Sequence, residues 1–147
     1  MKVIIDGDAC PVINEVERVS RKYSVPVIIV KNHAHVITSN YSEVISVDVR
    51  SENVDFKIVN MTEKDDIVVT QDYGLCAMAI AKEAIGINQY GKVINDFNID
   101  LHLNRRDLNK QMRKKHKKYT KFKKRTKKDN QIFKESFDDL LKKKSAK

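Results

Sequence analysis

The sequence predicts an α/β domain built on a mostly parallel sheet of about five strands, covered by helices on both faces, with a basic helical extension at its C-terminal end. Three observations carry this expectation. Short unbroken apolar runs such as Val3-Ile4-Ile5 are the mark of strands buried on both faces. These runs alternate with stretches whose apolar residues recur at helical spacing. The charge is also divided: residues 1–100 carry 10 Lys/Arg against 15 Asp/Glu, and residues 101–147 carry 19 against 5. An acidic body therefore joins a basic tail, a body that collects cations and a tail that collects polyanions.

The elements follow in order. Residues 2–5 form a first strand. Pro11 suits a first helical position, and Val12, Val16 and Val19 keep helical spacing up to Tyr23. Residues 25–30 form a second buried strand, with Pro26 near its start, where a missing donor matters least. A polar stretch from Asn32 to Ser42 follows, with a small strand at Val36-Ile37. Residues 44–49 alternate as a third strand. Val54, Ile58 and Met61 share one helical face, residues 66–70 form a fourth strand, Tyr73 to Ala84 a helix and Ala84 to Asn88 a fifth strand. Asp129 is expected to cap a last helix carrying Phe133, Phe137, Leu140 and Leu141 on one face. The organisation read from this pass is an α/β domain over 1–104, a basic segment over 105–128 and an amphipathic helix over 129–147 that docks on the body.

Several function classes are disfavoured. No run approaches the ~18 apolar residues of a membrane span. The opening residues lack a secretory-signal pattern, because Asp6 interrupts the apolar run at once. Cys10 and Cys76 have no zinc-ligand spacing and read as reduced thiols of a cytoplasmic protein.

The chemistry concentrates where strands end. In a doubly wound sheet, sites lie beyond the carboxyl ends of the strands, at the crevice where strand order reverses. Asp6 and Asp8 follow strand one, and Asp72 follows strand four in the same relation. With the order 3-2-1-4-5 these strands are neighbours, about 4.8 Å apart. Asp55, at the start of the helix feeding strand four, leans over the same edge. Gathering such carboxylates is costly unless a cation neutralises them, and Mg2+ or Mn2+ answers that need with oxygen ligands. Asp6, Asp8, Asp55 and Asp72 are the candidate ligands, and Asp6, Asp55 and Asp72 the candidate catalytic set for phosphodiester hydrolysis. Thr70 and Asn88 are supporting candidates, Thr70 by bonding a carboxylate.

Structural roles compete with these. Asp8 also suits a cap for the helix near Pro11, and Asp72 a cap for the Tyr73 helix. Asp65 and Asp66 precede strand four and read as turn residues. Cys10 reads as a buried structural thiol rather than a thiolate, and His33 and His35 as loop residues able to meet metal or phosphate.

The stretches DGDACP, DDIVVTQDYGLCAMA, INQYG and FDDLL resemble the YaiI/YqxD family of bacterial proteins, across essentially residues 1–143. That family is placed by similarity among PIN-like nucleases. The resemblance implies a three-layer, Rossmann-like PIN fold and metal-dependent cleavage, mostly of RNA. It matches Asp6, Asp55 and Asp72 to acids after strand one, before strand four and after strand four. For a further acid beyond the third, residues 73–87 offer only Glu83.

Residues 105–128 hold 14 Lys/Arg and one acid, with His116, Tyr119 and Phe122 interleaved. Arg105, Arg106, Arg113, Lys114, Lys115, Lys117, Lys118, Tyr119, Lys121, Lys123, Lys124 and Arg125 are the candidates for contact with RNA, most readily single-stranded, through phosphate charge and base stacking. Two rival readings stand beside the nuclease. One is a non-catalytic RNA- or ribosome-associated protein. The other is an aspartyl phosphatase, in which the two aspartates of Asp6-Gly7-Asp8 serve as nucleophile and general acid.

Overall fold

The computed structural model describes residues 1–8, 10–48, 53–101, 103 and 124–146. Its elements are β1 (Val3–Asp6), α1 (Ile13–Lys22), β2 (Val27–Asn32), β3 (Glu43–Val47), α2 (Val54–Met61), β4 (Ile67–Val69), α3 (Tyr73–Ala81), β5 (Ile85–Ile87), β6 (Val93–Ile94) and α4 (Lys127–Ser145). They form one six-stranded sheet in the order β3-β2-β1-β4-β5-β6, parallel except for β6, which runs against β5. Strand order therefore reverses between β1 and β4, where Ile5 lies beside Val69.

The alternation of the strands assigns each helix a face. Val3, Ile5, Ile29, Ile67 and Val69 pack with Val12, Val16 and Val19 of the α1 region and with Phe133, Phe137 and Leu141 of α4. Ile4, Val30 and Val68 point the other way, onto Val54 and Ile58 of α2 and Leu75 and Ala79 of α3. Three layers result. Phe133 and Phe137, one helical turn apart, stack with centroids 5.6 Å apart. Helix α4 is further tied by Lys22 Nζ to Asp138 Oδ1 (3.2 Å) and by Lys144 Nζ to Asp65 Oδ1 (3.3 Å). Among the described residues no helix is long and apolar enough to cross a membrane.

Several local expectations change. β2 runs two residues later than its apolar run, because Pro26 precedes the ladder and only its carbonyl is used, by the Val3 N–H. Val36-Ile37 forms no strand. There the chain turns on Asn32, which accepts from the Ala34 N–H, and on Ser39, which binds Glu17. Helix α3 stops at Ala81 rather than Ala84: Glu83 adopts φ +66° and the Ala84 N–H reaches back to the Ala79 carbonyl, a C-terminal closure that frees residues 85–87 for β5. β6 adds a sixth strand. Asp129 is not the cap of α4. Thr126 is, with Asp129 as its reciprocal partner three residues on, so that both orphan donors are satisfied.

Candidate functional site

The end of β1 is tight by necessity. The Gly7 N–H donates to the Val30 carbonyl (2.8 Å), and a Cβ on Gly7 would lie 2.8 Å from Ile29 Cγ2. Glycine lets the chain hug β2 while Asp6 and Asp8, on either side of it, both line a cleft of about 350 Å³. Cys10, Pro11, Val69, Thr70, Gln71, Asp72 and Gln89 complete its wall. The cleft opens at the carboxyl edge, over the β1–β4 junction.

Thr70 organises the acids. It is buried, its hydroxyl donates to Asp6 Oδ2 (3.0 Å), and the same oxygen accepts the Asp72 N–H (3.0 Å). Asp72 in turn caps α3, Oδ1 accepting from the N–H groups of Gly74 (2.9 Å) and Leu75 (3.2 Å). Its capping and site roles coexist. Asp55 stands in the first turn of α2, its N–H bound by the capping Asn53 side chain (2.7 Å). From there it reaches Asp72.

The electrostatics follow from this crowding. Burial pushes the Asp6 carboxyl up to about 6, against the lowering effect of the Thr70 hydroxyl, and the charges of Asp55, Asp8 and Asp72 push the same way. Asp55 is also raised, first by burial, then by the charge of Asp72, with which its side chain makes a hydrogen bond. Two carboxylates share a hydrogen bond only through a proton. The crowding therefore favours the protonated forms of Asp6 and Asp55 over those of free carboxyls.

Asp8 behaves differently. As a cap for α1 it is ruled out, since that helix has no side-chain cap. Its carboxylate turns instead to the end of β2, accepting from the Asn32 N–H (3.2 Å) and Nδ2 (3.4 Å) and lying 2.9 Å from His35 Nδ1. Asn88 is likewise buried, but it organises the β5–β6 turn, its Oδ1 accepting from the Tyr90 and Lys92 N–H groups (3.0 Å each). Cys10 is held as a thiol, pushed up to about 11 chiefly by burial. Glu83 sits beyond the far end of α3, exposed, away from the carboxylates. Asp66 is more than a turn residue: it is buried and holds Lys2, its Oδ2 2.6 Å from Nζ.

Of the basic candidates, Arg105, Arg106, Arg113, Lys114, Lys115, Lys117, Lys118, Tyr119, Lys121 and Lys123 lie outside the described residues. Lys124 is exposed. The Arg125 guanidinium donates from Nη2 to the Gln89 carbonyl (2.6 Å) and from Nε to Asn130 Oδ1 (2.7 Å), and packs over the Tyr90 ring. Among the described residues no three His, Cys, Asp or Glu side chains form a ready-made metal cage.

The sequence did not point to Gln71 and Gln89, whose side chains meet at the cleft wall (2.5 Å), nor to the pairing of Asp8 with Asn32 and His35. These contacts join residues far apart in the chain, and no local spacing announces them.

The model of the family described as "Uncharacterized BCR, YaiI/YqxD family" matches residues 4–143. The chain belongs to the YaiI/YqxD family. Its similarity to curated members, each named a UPF0178 protein, is high. The Alkaliphilus oremlandii protein is 46% identical over 133 residues, covering 90% of this chain and 86% of the relative. The Natranaerobius thermophilus protein is 44% identical over 141 residues, covering 96% of each. No solved structure matches the chain at significance. The cleft acids described above fall within the span the family model matches.

Proposed function

We propose that this YaiI/YqxD protein is a divalent-metal-dependent nuclease of PIN-like type, acting on RNA. The observation that carries the proposal is Asp6: a largely buried carboxyl, raised to about 6, facing Asp55, Asp8 and Asp72 at the switch point of the sheet. Crowded carboxyls are costly to ionise together, and a hard divalent ion is the fitting partner. Mg2+ uses one or two carboxylates and keeps several waters, which suits acids that meet in pairs rather than as a closed cage. Asp6, Asp55 and Asp72 would hold it. Bound there, it supplies Lewis acidity and an ionised water for phosphodiester hydrolysis.

The residues then divide the remaining work. Thr70 fixes the Asp6 carboxylate and the Asp72 backbone in one hydrogen-bonded unit. Asp72 is held at the N-terminus of α3 by the bonds its carboxylate accepts from the Gly74 and Leu75 N–H groups. The excess of Lys/Arg in residues 101–147 supports a polyanionic substrate, with the candidates of residues 105–125 as its phosphate contacts. The phosphatase reading has less support, because the Asp8 carboxylate is taken up by Asn32 and His35.

The test is hydrolysis of unstructured RNA. It should require Mg2+ or Mn2+, stop with a chelator and fail to run at a comparable rate with Ca2+, which is larger and more loosely coordinated. Asp72→Asn should abolish it while leaving α3 folded, since Asn caps as well as Asp. Cleavage that survives in Asp72→Asn, or no cleavage by clean wild-type protein across varied RNAs and metals, refutes the proposal.

A further inference from the structure

We infer that the turn joining β5 to β6 is a stacking platform on which Tyr90 takes the face of an unpaired nucleobase beside the carboxylate cleft. The inference rests on the nucleic-acid reading above and deepens it by naming the form of the substrate as single-stranded.

Tyr90 is 49% exposed, yet its turn is closed by several hydrogen bonds. Its N–H donates to Asn88 Oδ1, the Gly91 N–H donates to the Asn88 carbonyl and the Asn88 N–H to the Lys92 carbonyl, each at 3.0 Å. Asn88 Nδ2 donates to the Tyr73 hydroxyl (3.3 Å), tying the turn to the start of α3. Gly91 has φ +84°, and a Cβ there would meet Ser136 Cβ at 2.8 Å, so the turn is also seated on α4. The ring itself is fixed from one side. The Arg125 guanidinium lies 5.3 Å from its centroid and is locked in place by the Gln89 carbonyl and Asn130.

An aromatic ring held this way offers contact area at low entropic cost. Every nucleobase has a face to stack, but a base in a duplex has already used it, so such a ring selects unpaired strands. The preceding residue, Gln89, lines the cleft and bonds Gln71, so Tyr90 directly follows a residue of the cleft wall. The charge nearby in the chain fits a polyanion: Lys92, in the same turn, and Lys124 and Lys127, flanking Arg125, are exposed. Phosphates meet the lysines, and the base meets Tyr90. Tyr41 and Tyr73, by contrast, bury most of their rings and use their hydroxyls inside the fold.

The experiment is anisotropy of a labelled oligouridylate and of a blunt RNA duplex with the full-length protein, in Ca2+ and at fixed salt. Wild type should bind the single strand at least ten-fold more tightly than the duplex. Tyr90→Leu, which keeps apolar contact with Arg125 but has no aromatic face, should weaken single-strand binding about ten-fold. Tyr90→Phe should restore it, and the duplex should be indifferent to both. Equal melting temperatures of the three proteins exclude a folding effect. Single-strand binding by Tyr90→Leu as tight as wild type overturns the inference, as does equal weakening on single strand and duplex, or no binding by wild type. Cleavage kinetics separate the two claims. Metal-dependent cleavage with KM unmoved in Tyr90→Leu sinks the platform and leaves the nuclease standing. Tyr90-dependent binding without any cleavage does the reverse.

Discussion

Replacing Asp6 by Asn should make the metal-free protein more stable at neutral pH. The carboxyl rises from the ordinary 3.8 to about 6 in the fold, so the native state holds its proton where the unfolded chain has lost it. Stability then falls as pH rises from about 4 to 6, and stays lower above that window, because the native state must ionise a buried group. The shift of roughly two units corresponds to at most about 3 kcal/mol at 1.36 kcal/mol per unit, and solvent at the partly exposed carboxyl screens this to roughly 1–2 kcal/mol. Asn removes the charge and keeps an oxygen for the Thr70 hydroxyl. In chelator at pH 7.5, urea unfolding of Asp6→Asn should give a gain of about 1–2 kcal/mol, and melting a rise of roughly 2–8 °C. At pH 4 the difference should nearly vanish, since wild-type Asp6 is then protonated. Equal or lower stability of Asp6→Asn at pH 7.5 would refute the reasoning. Saturating Mn2+ should restore wild type by about 2.7 kcal/mol at a hundred times the dissociation constant, and leave Asp6→Asn much less affected.

Thr70→Val keeps shape and removes both the donor to Asp6 and the acceptor for the Asp72 N–H. It should cost about 1–3 kcal/mol in denaturant unfolding and raise the Asp6 carboxyl still further in an NMR titration, because the bond that lowers it is gone. Phe137→Ala should cost about 3–5 kcal/mol, since the ring is wholly buried between α4, α1 and the sheet. A loss below 1 kcal/mol would mean that α4 contributes little to the fold.

What the sequence made legible was local. Unbroken runs such as Val3-Ile4-Ile5 are visible because a strand covered on both faces has no polar side. The order that sets β1 beside β4 follows from parallel connection rules, so the meeting of Asp6 and Asp72 at one edge was readable. Asp8 was not. Its partners, Asn32 and His35, are reached by a fold-level approach of the β1 and β2 ends that Gly7 permits, and no period or cap signal encodes it. Asp129 misled because acids enrich the first turn of helices generally, and Thr126 three residues earlier is the better acceptor for its N–H. β6 was missed because two residues make no pattern. Arg125 belonged by composition to a solvated basic run, whereas a contact with a distant carbonyl anchors it beside Tyr90.

The most direct measurement is anomalous diffraction from crystals soaked in Mn2+. A divalent ion held by the cleft acids should give a difference peak within ligand distance of carboxylate oxygens of Asp6, Asp55 or Asp72, and lose it in Asp72→Asn. Soaked crystals with no peak in the cleft, or with one only at an exposed histidine such as His33, would contradict the account.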